Sequence, residues 1–185
     1  MVSLTSLVVP IVLSAVLVFV MSSIIHMALG YHRADYSALP NEDSLLDAFR
    51  SGKVAPGDYV APYANSSASM QEPAYQEKLK RGPGLIVTVW PGGSVNMGAL
   101  LGQWFVYSLV VSVFTAYLLS RTFPAGADYL AVFRVAGTVT FMAYGLALPQ
   151  ASIWYRKNWG TTLRSMLDAF IYGLLTAGAF GWLWP

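Results

Sequence analysis

Residues 4–29 read LTSLVVPIVLSAVLVFVMSSIIHMAL and contain no Lys, Arg, Asp or Glu. An α-helix needs roughly 20 apolar residues to cross a hydrocarbon core of about 30 Å, so this run is long enough to span a bilayer. A cleaved signal peptide would instead combine a basic start with an apolar core of only about 7 to 15 residues. Since neither feature is present, we expect residues 1–30 to form a permanent first transmembrane helix.

The composition of the whole chain is typical of a membrane protein. Of its 185 residues, 56% are apolar and only 11% are charged, whereas soluble domains carry about 25% charged residues. The net charge of +2 is too small to indicate a nucleic-acid partner. The absence of cysteine excludes disulfides, thiolate chemistry and Cys-ligated metal clusters.

Later apolar runs predict three more transmembrane helices in residues 97–185. These runs cover residues 97–119, 127–148 and 161–184. Pro149 is expected to end or kink the third helix, because proline cannot donate the hydrogen bond that continues it. Aromatic and basic residues in ASIWYRKNWG, which follows, are typical of the membrane interface. The predicted fold is therefore an all-α membrane protein with four transmembrane helices.

Residues 31–96, between the first and second predicted spans, hold most of the charged side chains. Asn41 precedes an acidic turn and predicts a short capped amphipathic helix, and residues 74–81 predict a second helix. Between them, VAPGDYVAPYANSSAS is rich in turn residues and is expected to be an extended loop. LIVTVW, residues 85–90, is typical of either a strand or an interfacial segment, or simply leads into the next helix. We expect a small, loop-rich cytoplasmic module that lies on the membrane or on a partner.

The basic residues predict the orientation of the four spans, because cytoplasmic loops carry an excess of Lys and Arg. One side of the membrane would hold nine of the eleven basic residues: Arg33, Arg50, Lys53, Lys78, Lys80, Arg81, Arg156, Lys157 and Arg164. The other side would hold Arg121 and, within the third helix, Arg134. We therefore expect a multi-pass inner-membrane protein whose long loop is cytoplasmic and whose two termini are periplasmic.

Small residues four apart predict the faces through which the helices pack. Helices in lipid associate through close backbone approach and polar contacts, since lipid is as apolar as their side chains. One stripe lies on the second predicted span and consists of Ser108, Ser112 and Ala116. The other lies on the fourth span and consists of Gly173, Ala177 and Gly181.

Ionisable side chains within the predicted spans are candidate functional residues, because they are costly in a bilayer. His26 lies near the cytoplasmic end of the first span and Asp168 at a similar depth in the fourth, where together they would suit a proton relay. Alternatively, Asp168 is satisfied by Arg164, or by a backbone or tyrosine donor, and His26 is an interfacial histidine. Arg134 would extend outward, pair with Asp128, or meet a lipid headgroup or a substrate.

No catalytic motif is present. The chain has two histidines, His26 and His32, and this pair predicts no metal site, because additional ligand residues at a recognisable spacing are missing. We expect no resident cofactor and no enzymatic activity, although a lipid or a quinone is compatible with the aromatic-rich helices.

Five segments carry a resemblance to known sequences: YHRADYSALPNED, EKLKRGPG, WFVYSLVVSVFTAYLLSRTFPAGADYLAVFR, IWYRKNW and FGWLWP. With these segments the chain resembles an uncharacterised group of small bacterial inner-membrane proteins. The resemblance implies a bacterial envelope location and the four-helix plan, but it implies no activity and no residue roles.

Two functional hypotheses follow from the sequence. The first is an accessory or scaffold subunit of a larger membrane complex, with the bilayer and other membrane subunits, or further copies of this chain, as partners. The second is a small transporter or proton-conducting protein that uses His26, Asp168 and Arg134. A water-lined path past Asp168 would favour transport, whereas a dry bundle with apolar flanks would favour the scaffold.

Overall fold

The computed structural model describes residues 2–185 as a mostly helical protein, with 69% of residues in helices. It divides into two compact units, one of residues 2–37 and 96–185 and the other of residues Ala38–Val95. The elements in chain order are α1 (Val8–Ile24), α2 (Glu42–Ser51), β1 (Gly57–Ala61), α3 (Ser67–Met70), α4 (Pro73–Arg81), β2 (Leu85–Val89), α5 (Met97–Thr122), α6 (Tyr129–Tyr144), α7 (Pro149–Tyr155) and α8 (Trp159–Trp182). The predicted helical character is confirmed, but a short sheet is also present.

Three helical stretches among the described residues are long and apolar enough to cross a membrane. They are Leu4–Leu29, Met97–Thr122 and Tyr129–Tyr155. Helix α8 is also long, with 24 residues, or about 36 Å at 1.5 Å per residue. It is not apolar enough to be one of these three stretches. It carries Arg164 and Asp168 as well as many small and polar residues, which lower its hydropathy.

Side-chain caps explain where the three long helices after residue 96 begin. Asn96 accepts a hydrogen bond from the backbone N–H of Ala99 at the start of α5, at 3.0 Å. Asp128 caps α6 and Asn158 caps α8 in the same way. Each cap pairs backbone N–H groups that have no partner within the helix.

The third predicted span differs in detail from the helix that the structure contains. A continuous helix over 127–148 was expected, but α6 ends at Tyr144 and α7 begins at Pro149. Proline is favoured at the first position of a helix, where its missing N–H costs no hydrogen bond. Residues 145–148 therefore separate two helices, the second of which begins at Pro149, and α7 covers half of the segment 151–160 that is expected at the interface.

Both small-residue stripes are buried inside the first unit. Ser108, Ser112 and Ala116 of α5 are at most 2% exposed, and the structure also buries Gly173, Ala177 and Gly181 of α8. The most extensive contact between helices joins α6 to α8. There, a Cβ on Gly173 would lie 3.1 Å from the carbonyl oxygen of Gly137, so the two backbones approach closely because both positions lack side chains.

Hydroxyl groups link the packed helices within the same unit. Ser14 of α1 donates to Ser112 of α5 at 3.0 Å, and Thr115 of α5 lies 3.3 Å from Thr140 of α6. All four side chains are buried. In an apolar environment, such hydrogen bonds satisfy hydroxyls that would otherwise lose their partners.

The second unit contains an antiparallel pair of strands, and this pair contradicts one prediction. Strand β1 pairs with β2, with Gly57 opposite Val89 and Ala61 opposite Leu85. The extended loop expected around β1 is therefore wrong for Gly57–Ala61, whereas a strand was one of the alternatives for LIVTVW. The pairing partner lies about 30 residues away, so turn-rich local sequence gave no sign of it. None of residues 38–95 is buried, which agrees with the expected lack of a core.

The cap expected at Asn41 also differs. Its side chain makes no capping hydrogen bond, and its backbone is left-handed with φ of 54°, a conformation that asparagine adopts more readily than most residues. The helix α2 still begins at this point, because the Asn41 carbonyl accepts from the N–H of Leu45 at 3.2 Å.

Candidate functional site

The site begins where α1 ends. Directly after α1, residues Ile25–Leu29 form a π-helical turn. This turn ends at Gly30, whose φ of +66° is left-handed. Glycine adopts this conformation without a Cβ penalty, so the chain can turn sharply into a 3₁₀ turn, Tyr31–Asp35, which packs on α8. The polar side chains of this turn are thereby placed against Asp168. π-helical turns are often found at functional sites.

His32 lies between two carboxylates. Its Nδ1 is 2.6 Å from Asp35 Oδ2 and its Nε2 is 2.8 Å from Asp168 Oδ2. Asp168 comes from α8 and is only 4% exposed. Both nitrogens of the ring are therefore engaged, and the ring orientation is fixed from both ends.

Arg164 anchors the outer carboxylate of this chain of contacts. Its Nε donates to Asp35 Oδ1 at 2.7 Å, and one of its terminal nitrogens lies 2.6 Å from the same oxygen. Burial by itself would raise the pKa of Asp35, but the hydrogen bonds from His32 and Arg164 outweigh burial and hold this pKa below its usual value. Asp35 is therefore an ionised acceptor at neutral pH.

Tyr31 holds the second oxygen of Asp168. Its hydroxyl donates to Asp168 Oδ1. Burial and then the hydrogen bond to Asp168 raise the pKa of Tyr31 well above its usual value, so the phenol keeps its proton and acts as a donor. The carboxylate of Asp168 thus has a partner on each oxygen, as a buried charge requires.

His26 completes the group. Its ring stacks on that of His32, with centroids 4.5 Å apart and planes within 7° of each other. Its Nδ1 is 2.9 Å from the carbonyl oxygen of Ser22. Because a carbonyl can only accept, Nδ1 carries the hydrogen and the lone pair of the neutral ring is on Nε2. The residue is exposed on the wall of a cavity.

The structure assembles a different set of residues from the one that the sequence predicted. Asp168 contacts His32, whereas His26 reaches the carboxylate group only through its stacking on His32. Arg164 pairs with Asp35 and not with Asp168. Asp168 instead has a tyrosine donor, Tyr31, which is one of the alternatives that the sequence left open. Arg134 is exposed on α6, and the described residues 2–185 offer it no ion pair, since Asp128 caps α6 instead.

Tyr31, Asp35 and the role of His32 were missed by the sequence analysis. The available signal was the density of polar residues in YHRAD directly after an apolar span. His32 and Asp35, three residues apart, could have been read as a pair on one turn. Their meeting with Arg164 and Asp168 depends on how the turn packs on α8, which local sequence does not encode.

A cavity of about 800 Å³ lies beside the histidines and between four helical segments. Aromatic and aliphatic side chains form most of its wall, including Leu101, Trp104, Tyr107, Leu148 and Tyr172. His26 and Asp168 form part of the wall as well, so the cavity is mostly apolar and has an ionisable end. Its volume is typical of pockets that bind small molecules.

One polar atom in the cavity wall has no partner. The hydroxyl of Tyr144 is buried and forms no well-directed hydrogen bond with any of the described residues, although the Ser108 hydroxyl lies near it. The neighbouring Ser108 hydroxyl donates to the carbonyl of Trp104. An unpaired buried hydroxyl costs about 1–3 kcal/mol, and the residue that carries it forms part of the cavity wall.

Searches of protein-family models, of curated proteins and of solved structures find no match to this chain.

Proposed function

We propose that the protein is a multi-pass protein of a bacterial inner membrane, with α8 as a fourth spanning helix. Three apolar stretches support membrane insertion. For α8, support comes from its length and from its extensive burial against α1 and α6, because a helix shielded by other helices needs less apolar surface. The excess of basic residues predicts a cytoplasmic module of residues 31–96 and periplasmic termini.

Cysteine labelling tests this topology. The chain has no native cysteine, so single cysteines at Ser51, Ser69 and Ala125 report directly on accessibility. In intact cells, we expect an impermeant thiol reagent to label Ala125→Cys and to leave Ser51→Cys and Ser69→Cys unlabelled until the cells are opened. Labelling of Ser51→Cys or Ser69→Cys in intact cells would reverse the proposed orientation.

We further propose that the protein binds an amphiphilic, carbonyl-bearing molecule in the cavity. The observation that carries this proposal is the unpaired Tyr144 hydroxyl on a largely apolar wall. A carbonyl oxygen of the ligand would accept the Tyr144 hydrogen bond, and its apolar body would cover Leu101 and Trp104. Isoprenoid quinones and glycerolipids share this chemistry, so the bound molecule must be identified by experiment.

Two cavity variants test the ligand. The protein is extracted into copolymer nanodiscs without detergent, and molecules retained per chain are quantified by mass spectrometry. Leu101→Trp adds bulk to the cavity wall and is expected to reduce retention by at least tenfold. Tyr144→Phe removes one hydrogen bond, worth about 1.4 kcal/mol, and is expected to weaken retention by about tenfold.

Leu118→Trp is the matched control, because Leu118 is exposed on the same helix α5 and does not line the cavity. It should retain as much ligand as the parent. A quinone is recognised by its redox-dependent absorbance and a glycerolipid by its phosphate content. Retained molecules that mirror the bulk membrane and are equally abundant in Leu101→Trp would contradict the proposal.

The second proposal is that the chain is an accessory or scaffold subunit of a membrane complex, or that it self-associates. The observation that favours it is the second unit, residues 38–95, which buries no side chain and exposes Leu45, Leu46, Tyr59 and Ile86. Such a unit gains little hydrophobic stabilisation alone. The same nanodisc spectra detect a stoichiometric protein partner or a second copy alongside the amphiphile.

Proton conduction is the alternative to the accessory role. The hydrogen-bonded series from Arg164 through Asp35 and His32 to Asp168 supports it, but Arg134 takes no part in that series. Proton flux through reconstituted vesicles that contain the protein distinguishes this alternative.

A further inference from the structure

Two imidazoles and a carboxylate converge at the ionisable end of the cavity. One ligand atom from each of His26, His32 and Asp168 lies within 4.8 Å of the other two. We propose that these three residues bind a divalent transition-metal ion of the zinc class. This site is independent of the amphiphile proposed above, although both would share the cavity.

The hydrogen bond of His26 leaves a lone pair on its Nε2, and Nε2 of His32 faces the carboxylate of Asp168. His26 donates Nδ1–H to the Ser22 carbonyl, which can only accept. His32 Nδ1 faces Asp35, a carboxylate that is also held by Arg164 and therefore accepts. In the neutral rings, Nε2 is then the basic atom. Neutral imidazole with a free Nε2 is the form in which histidine binds metals.

The outer contacts have the pattern found around metal sites. A histidine ligand usually donates its other N–H to a carboxylate or a backbone carbonyl, which fixes the ring and increases its basicity. Asp35 does this for His32 and Ser22 for His26. Tyr31 donates to Asp168 Oδ1 and leaves Oδ2 for the proposed ion.

The contact between His32 and Asp168 would be replaced by coordination to the ion. His32 Nε2 and Asp168 Oδ2 are 2.8 Å apart, and without a metal ion Nε2 donates to the carboxylate. A bound divalent ion would displace that proton from Nε2 and lie between the two atoms. At about 2.0–2.2 Å from each atom in tetrahedral geometry, the ion fits once the pair opens by roughly 0.6 Å.

His26 must move to become the third ligand. Its ring is parallel to that of His32, and one ion cannot lie in two parallel ring planes. The His26 ring therefore has to turn, which its exposed position on the cavity wall permits. The resulting set of two histidines and one carboxylate suits zinc or another first-row divalent ion and leaves a fourth position open toward the cavity.

Metal titration tests the proposal. The full chain is purified in nanodiscs with an affinity tag that contains no histidine, stripped with a chelator and incubated with Zn²⁺. After desalting, elemental mass spectrometry is expected to find one zinc per chain. Co²⁺ in place of Zn²⁺ should give visible absorption bands typical of nitrogen and oxygen ligands.

Three variants distinguish the proposed metal ligands from the residue that orients His32. His26→Gln and Asp168→Asn each remove one proposed ligand and should abolish stoichiometric zinc. Asp35→Asn should reduce zinc affinity by about 10–100-fold, because the carboxylate that orients His32 is lost. Asp128→Asn is the control, because Asp128 caps α6 and is neither a proposed ligand nor a partner of one. It should bind zinc like the parent.

Because His26 is exposed, His26→Gln is expected to fold even if Asp168→Asn does not, and its melting temperature checks this. A parent protein that retains no Zn²⁺, or a folded His26→Gln that retains as much as the parent, would overturn the site. Zinc content is measured independently of bound lipid or quinone, so a failed metal site and a failed amphiphile site are told apart.

Discussion

Replacing Asp168 with leucine should lower the free energy of unfolding by about 3–5 kcal/mol, the usual cost of removing one partner from a buried charged network. Asp168 is 4% exposed, and its carboxylate accepts from both Tyr31 and His32. Leucine would leave a buried phenol and a buried imidazole without their partner. The unfolding midpoint in a denaturing-detergent titration, or the melting temperature in nanodiscs, measures the loss.

Asp168→Asn is the informative comparison, because an amide keeps the shape of the side chain and can still accept from Tyr31. We expect it to retain most of the stability that Asp168→Leu loses. Asp47→Leu is the control: Asp47 is a 72% exposed carboxylate that pairs with Arg50, and exposed pairs contribute little. An Asp168→Leu protein as stable as Asp47→Leu would show that the network does not support the fold.

The same Asp168 variants address proton conduction. We expect the parent in reconstituted vesicles to show no proton flux that depends on Asp168, in agreement with an accessory or ligand-binding role. A flux that is present in the parent and absent in a folded Asp168→Asn protein would favour the proton-conducting alternative.

The second large effect is expected from Gly173→Leu in the contact between α6 and α8. The first added carbon would lie 3.1 Å from the backbone carbonyl oxygen of Gly137 and 3.6 Å from Phe141, and the remaining three carbons of leucine have no space. Backbone atoms cannot move aside as a flexible side chain can. We expect a loss of about 3 kcal/mol, at the upper end of the usual cost of overpacking, and a reduced yield of folded protein in detergent.

Leu174→Phe provides the matched control at the next position of α8. Leu174 is 43% exposed, so the added volume projects away from the helix contact and folded yield should match the parent. Ala177→Leu should behave like Gly173→Leu, because Ala177 is fully buried and its Cβ already approaches Gly137. If both buried variants fold as well as Leu174→Phe, the close packing of α6 on α8 is wrong.

Much of the helical framework follows from local sequence. The long apolar runs predicted helices close to α1, α5 and α8, because hydrophobic length and short-range capping are encoded by neighbouring residues. The two stripes of small residues were also legible, since residues four apart share one face of a helix. The break between α6 and α7 was only partly predicted, because Pro149 marked its end but nothing local marked Tyr144 as the last residue of α6.

The strand pair in residues 38–95 shows that local sequence does not encode which distant segments pair. Gly57–Ala61 looks like a turn-rich loop and becomes a strand only because Leu85–Val89 supplies its hydrogen bonds. Strand formation is a property of the pair, and the two segments are separated by two short helices. Leu85–Val89, which is β-branched and apolar, was recognisable by itself as a possible strand.

The sequence by itself determined that the chain has long apolar helices, where most of them begin, and that Asp168 would be a costly residue requiring partners. Only the tertiary structure decided which partners those are. Tyr31 and His32 lie more than 130 residues from Asp168 and meet it because Gly30 turns the chain onto α8. The physical reason is that helix length and capping depend on neighbours a few residues apart, whereas the satisfaction of a buried charge depends on whichever elements pack around it.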